Sequence, residues 1–128
     1  MDRSAIMRAV HSENTSPEIL IRKLIHSLGY RFRLHGRNLP GRPDLVFASR
    51  KKVIFVHGCF WHGHDCKRGA RIPKTNVSYW KAKIARNRER DSSNNEQLRR
   101  DGWEVLVIWE CETREVPKLT ARLRRFLK

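Results

Sequence analysis

The chain has 128 residues, enough for one domain with its own core, and its 28 Lys and Arg against 13 Asp and Glu give a formal net charge of +15. That excess opposes compaction and selects polyanionic partners, nucleic acid first, with a basic protein of ribosomal type as the bland alternative. No apolar run approaches the ~20 residues of a membrane-spanning helix, and "MDRSAIMRAV" lacks a leader's apolar stretch and cleavage site, so a cytoplasmic protein is expected.

Residues 1–15 are polar and basic and read as an arm, with a single domain over 16–128. Ser16 is placed to cap a helix and Pro17 to begin it, and Ile21, Leu24, Ile25 and Leu28 repeat at helical spacing up to Gly29. "YRFRL" (Tyr30 to Leu34) alternates as a strand with one wet face does. "HGRNLPGRP" is a turn-rich loop, and "DLVFA" gives a short strand from Asp44. "VIFV" is an unbroken apolar run, suited to a central strand buried on both faces.

After "HGCFWHGHDC" and the basic loop "KRGARIPKTNV", a long helix is predicted from a cap at Ser78 to Arg100, with "DSSNN" a point where it can break. "WEVLVIWE" (Trp103 to Glu110) is the strongest strand signal, and Val116 to Leu127 forms a basic amphipathic helix. The order helix, three strands, helix, strand, helix predicts a meander followed by a crossover. That makes a mixed α/β sheet flanked by helices, the arrangement of restriction-endonuclease-like nucleases.

Positions 57 to 66 concentrate the chemistry. Two of the three cysteines and three of the six histidines fall there, which in a reducing compartment favours metal thiolates over disulfides. Cys59, His64 and Cys66 can turn toward one point, with His62 and Asp65 as alternatives to His64. Cys111 is the only other thiol; it reaches the cluster if "WEVLVIWE" runs parallel beside "VIFV". Such a set would be structural zinc. A nucleobase deaminase is excluded, since neither its H-x-E nor its P-C-x-x-C occurs.

Asp44 in "GRPDLVF" enters one strand just before the next, where a carboxylate could hold Mg²⁺ against a scissile phosphate. The usual second half of that nuclease pattern, (D/E)-x-K, is here Phe55-Val56-His57, so Asp44 alone is equally a turn residue. His57 and His62 flank Cys59 and could relay protons or orient water. Glu18, in the first helical turn, fits a simple interaction with the helix dipole. Phe60 and Trp61 lie between the presumed zinc ligands, as a wedge between base pairs or as a cap on the core. Trp80 could join such a wedge or pack inward, whereas Trp103 and Trp109 read as core. Lys67 to Lys74 and Lys81, Lys83, Arg86, Arg88 and Arg90 are candidates for phosphate contacts.

"SPEILIRKLIHSLGYRFRLH", "LPGRPDLVF", "VIFVHGCFWHGHDC", "NVSYWKAKIARNRERD" and "GWEVLVIWEC" together resemble the Vsr family of very short patch repair endonucleases over nearly the whole chain. The resemblance implies a restriction-endonuclease-like fold with structural Zn²⁺, and Mg²⁺-dependent nicking of duplex DNA 5′ to the thymine of a T:G mismatch. It implies Asp44 and the Val56 carbonyl as Mg²⁺ ligands, His57 and His62 at the phosphate, and Glu18 acting through metal-bound water. Cys59, His64, Cys66 and Cys111 match the zinc set. Phe60, Trp61 and Trp80 match intercalating aromatics, Lys83 a residue near the mismatched bases, and Met7 a DNA-clamping N-terminal segment. A monomeric bacterial protein acting at the nucleoid, with mismatch-repair proteins as further partners, is also implied. Val56 stands where threonine is frequent, and Gly63 and Asp65 where some members carry histidine. The alternatives are a zinc-stapled DNA-binding module without cleavage, and a nuclease of the same fold without mismatch specificity, serving restriction or defence.

Overall fold

The computed structural model describes residues 15–59, 62, 64, 66 and 75–128. Residues 1–14 of the predicted arm, with Met7, the predicted wedge, Phe60 and Trp61, the alternative ligand Asp65 and the basic loop Lys67 to Lys74 lie outside the described residues. Helix α1 (Ser16–Ser27) leads to β1 (Arg33–Leu34), β2 (Leu45–Phe47) and β3 (Lys52–His57). Helix α2 (Val77–Arg100), β4 (Glu104–Trp109) and α3 (Val116–Leu127) follow, with short 3-10 turns at Ala48–Arg50 and Glu110–Arg114.

The four strands form one sheet in the order β1-β2-β3-β4. β1, β2 and β3 pair antiparallel as a meander, and α2 carries the chain over to β4, which pairs parallel with β3. The predicted mixed sheet is therefore what forms. β3 lies inside it, with Val53, Ile54 and Phe55 all buried, as an uninterrupted apolar run requires.

Two cores sit on the two faces. On one, Ile21 and Ile25 of α1 and Leu119, Leu123 and Leu127 of α3 pack on Leu45, Phe47, Ile54 and Ile108. On the other, Leu98 of α2 packs on Val46, Val53 and Phe55, with Trp103, Val105 and Val107 at the margin. Alternation along a strand thus sends Val53, Phe55 and His57 toward α2, and Ile54 and Val56 toward α1 and α3.

Several boundaries depart from expectation. The cap of α1 is Thr15, with Ser16 already helical, and its side chain makes no capping hydrogen bond. At the far end Gly29 (φ 90°) and Tyr30 donate their N–H groups back to His26 and Ile25, a Schellman closure. Tyr30 to Phe32 therefore leave the strand to Arg33 and Leu34, and both aromatic rings pack on the first core instead.

Helix α2 is capped by Asn76 rather than Ser78, because Asn accepts the left-handed conformation found there (φ 58°). It does not break at "DSSNN". Leu98 is fully buried beyond that stretch, and Asn94 lies against Gly41, so packing overrides weak propensity. Gly41 (φ 75°) has no room for a side chain, since a Cβ would come within 3.1 Å of both Asn94 and Phe55. The close approach seats the loop before Asp44 against α2. Among the described residues no helix is long and apolar enough to cross a membrane.

Candidate active site and metal centre

The site is built at the C-terminal end of β3, where three clusters of titratable side chains meet the strand. The parallel register pairs His57 with Trp109 and so delivers Cys111, two residues past β4, beside the segment that follows β3. Ligand atoms of Cys59, His64, Cys66 and Cys111 all lie within 4.8 Å of one another, with Cys111 Sγ 3.6 Å from His64 Nδ1. Tetrahedral zinc needs ligand atoms separated by about 3.5–3.8 Å, so the arrangement fits with small adjustments. Burial pushes the Cys59 thiol up to about 12 and raises Cys111 as well. Crowded neutral thiols of this kind become good ligands only when a cation takes the place of their protons. Three thiols and an imidazole are the donor set of a structural zinc site, and among the described residues it is His64, not His62, that joins the cysteines.

The second cluster is His57, His62 and Asp91. The two imidazoles stack, and Asp91 from α2 accepts a hydrogen bond from His62 Nδ1 at 2.5 Å. His57 is buried, and burial, followed by the neighbouring His62, lowers its pKa to about 3. It is therefore a neutral imidazole. Among the described residues its Nδ1 has no hydrogen-bond partner, which leaves a buried polar atom for a ligand to satisfy.

The third cluster is Glu18, His35 and Asp44, again within 4.8 Å. The Val56 N–H donates to Asp44 Oδ2 at 2.6 Å, and Arg22 donates to Glu18 Oε2 at 3.0 Å while standing 3.4 Å from His35 Nε2. Burial pushes Asp44 up to about 7 against the Val56 hydrogen bond, and Glu18 adds to the rise. Two carboxylates held this close out of water favour a cation or a shared proton between them. Oxygen donors of this type fit a hard divalent ion. His35 is held in the left-handed region (φ 53°) while its N–H donates to the Asp44 carbonyl, which ties the loop back onto the cluster.

Structure thus brings together Glu18, Asp44 and Val56 on one side of the end of β3, and His57 and His62 on the other. Glu18 is buried and paired, not merely a partner of the helix dipole. Trp80 is half-buried near the start of α2, edge-on to Tyr79 and in neither core, and Lys83 is half-buried one turn on along the same helix.

Reading the residues missed Arg22, His35 and Asp91, and misplaced Trp109. Asp91 carries no local mark, since it sits in an arginine-rich helix and meets His62 across 29 positions. Trp109 stacks on His64 (4.2 Å, 13°) and presents an edge contact to His57 (5.2 Å, 72°), so it joins the zinc cluster to the histidine pair instead of filling the core. Its position one residue from the end of the "WEVLVIWE" run was the available signal.

A mixed sheet with a metal-ready carboxylate cluster and a histidine–aspartate pair at the end of its central strand has the parts of a phosphodiesterase. Residues 1–68 match the family model for the DNA mismatch endonuclease Vsr. A protein of Xanthomonas oryzae pv. oryzae named type II nicking enzyme V.XorIIP is 52% identical over 125 residues, covering 98% of this chain and 91% of the relative. Type II nicking enzyme V.NmeAIP of Neisseria meningitidis serogroup A is 42% identical over 126 residues, covering 98% and 89%. The DNA mismatch endonuclease Vsr of Escherichia coli is 42% identical over 118 residues, covering 92% and 75%. The chain belongs to the Vsr DNA mismatch endonuclease family.

Proposed function

We propose that this endonuclease nicks one strand of duplex DNA by divalent-metal-dependent phosphodiester hydrolysis at the end of β3. The observation that carries the reading is the convergence there of the Glu18–Asp44 pair and the His57–His62–Asp91 cluster. Asp44 and the Val56 carbonyl would hold Mg²⁺ with Glu18 acting beside them, and the ion would supply stabilisation of the negative charge that develops on the phosphate. In an extended strand the N–H and C=O of one residue point the same way, so the Val56 carbonyl faces the Asp44 side together with the N–H bonded to it.

Asp91 fixes the tautomer of His62 by holding Nδ1, and leaves Nε2 to pass a proton at the scissile phosphate. Neutral His57 positions His62 by stacking and offers its own unsatisfied nitrogen to a phosphate oxygen or water. The zinc cluster anchors the segment on which Phe60 and Trp61 are carried, and with Trp80, Lys83 and the arm containing Met7 these form the proposed contacts to DNA bases and backbone. The unit acts as a monomer.

Two relatives matched along nearly their whole length are named type II nicking enzymes, which supports nicking as the shared activity more directly than a mismatch requirement. A second reading, nicking confined to T:G mismatches with mismatch-repair proteins as partners, is favoured by the family's description and by the E. coli relative's name. End-labelled duplexes carrying T:G, U:G or matched pairs, with and without Mg²⁺, separate the two. Mg²⁺-dependent nicking of matched and mismatched duplexes supports the first reading, and nicking of T:G alone the second. Salt-sensitive binding without cleavage would leave only a DNA-binding module.

A further inference from the structure

Helix α2 carries Arg88, Ser92, Asn95 and Arg99 at intervals of four, three and four residues, which places them in one stripe along the helix. The stripe forms one wall of a cavity of about 270 Å³ whose other wall is Val107 and Trp109 of β4 and whose end is the His57–His62 pair. β4 is an edge strand of the sheet, so no further strand lies beyond that wall among the described residues. Neither Arg88 nor Arg99 has an ion-pair partner among the described residues, whereas nearby Arg100 is paired with Glu96 and Arg90 donates to Asn87. Asp91, the one acid on this wall, is engaged by His62.

A solvated basic face would be convex and indifferent to the catalytic pair. This one is concave, ends on it, and leaves two guanidinium groups unpaired among the described residues.

We infer that this groove is the track of the strand being cut, with Arg88 and Arg99 each holding a backbone phosphate and Ser92 and Asn95 donating to the sugar-phosphate chain between them. The inference rests on the nuclease reading. Arg88 and Arg99 are separated by eleven helical residues, about 16 Å, room for several consecutive nucleotides. Asp91 with His62 lies between them along the helix, nearer Arg88. The scissile phosphate therefore sits inside the track, and the two arginines hold the strand on opposite sides of the break. A guanidinium forks onto phosphate oxygens in two parallel hydrogen bonds, so the pair fixes direction as well as position.

The test uses full-length, zinc-loaded protein and duplexes in which single phosphates of the cut strand are replaced by neutral methylphosphonates, with binding measured in the absence of Mg²⁺. Wild type should lose about tenfold in affinity at two positions flanking the scissile phosphate. One of those losses should vanish in Arg88→Ala and the other in Arg99→Ala. Each variant should also flatten the salt dependence of binding by about 0.9 in slope, with Arg→Lys restoring it. Arg125→Ala, at an exposed arginine of α3, should change neither. Unchanged melting temperatures confirm that the variants fold. Methylphosphonate losses that persist in both variants, or wild-type slopes, would overturn the assignment. Binding is read without cleavage, so an absence of nicking by the wild type would sink the nuclease reading while leaving the coupling measurable.

Discussion

The imidazole rings of His57 and His62 lie 3° from parallel with their centroids 3.8 Å apart. Two cationic rings cannot share that geometry at low cost, so the protein divides the roles: His57 is buried and kept neutral, and His62 is exposed to the cavity and held by Asp91.

Acid stability should report His57 directly. Its folded pKa of about 3 lies below the unfolded 6.5, so its contribution is fully present above pH 6.5 and is lost as pH falls toward 3. Urea midpoints measured from pH 8 to pH 3 should fall less steeply for His57→Asn than for wild type. Parallel curves would place the acid-sensitive group elsewhere.

Asp91→Asn keeps the size of the side chain but removes the charge that fixes the His62 tautomer. Single-turnover nicking should slow by about 10²–10⁴-fold with DNA affinity nearly unchanged. Loss of affinity at unchanged rate would make Asp91 a folding or binding residue instead.

Asp44 links cleavage to the pH dependence of the Mg²⁺-free fold. Its folded value, about 7, is raised above the ordinary 3.8, so its stabilising contribution is complete below pH 3.8 and disappears as pH rises through 7. Asp44→Asn should therefore melt higher than wild type at pH 8 without Mg²⁺, and the gap should close by pH 4. Asp44→Ala should abolish nicking while retaining DNA binding, and residual cleavage at the wild-type rate would remove Asp44 from the mechanism.

Cys111→Ser takes one thiol from a four-ligand cluster. Zinc content and stability should drop together, with the melting temperature falling by roughly 10 °C, about 2–3 kcal/mol for a domain of this size. A variant that keeps its zinc and its melting temperature but loses activity would contradict a structural role.

Much of the frame is legible in the residues because it follows from burial. "VIFV" is apolar enough to demand a central position and "WEVLVIWE" a place beside it, and their parallel pairing then carries Cys111 to Cys59, His64 and Cys66. What escapes reading is pairing between polar groups distant in sequence. His35 and Asp91 stand among many similar residues, and only the fold brings them to Asp44 and His62, whereas Arg22 lies one helical turn from Glu18 and that spacing was there to be read. Trp109 misleads for the same reason, since a tryptophan ending an apolar strand looks identical whether its neighbour is a leucine or a zinc-binding histidine.

The register of β4 against β3 ties the fate of the metal cluster to that of the histidine pair. Slipping β4 by one residue would turn Trp109 to the opposite face of the sheet and draw Cys111 about 3.3 Å out of reach. A copy folded out of step would lose the metal knot and the support of its histidines in the same event. Metal centre and histidine pair thus share a single point of failure, the register of one parallel ladder.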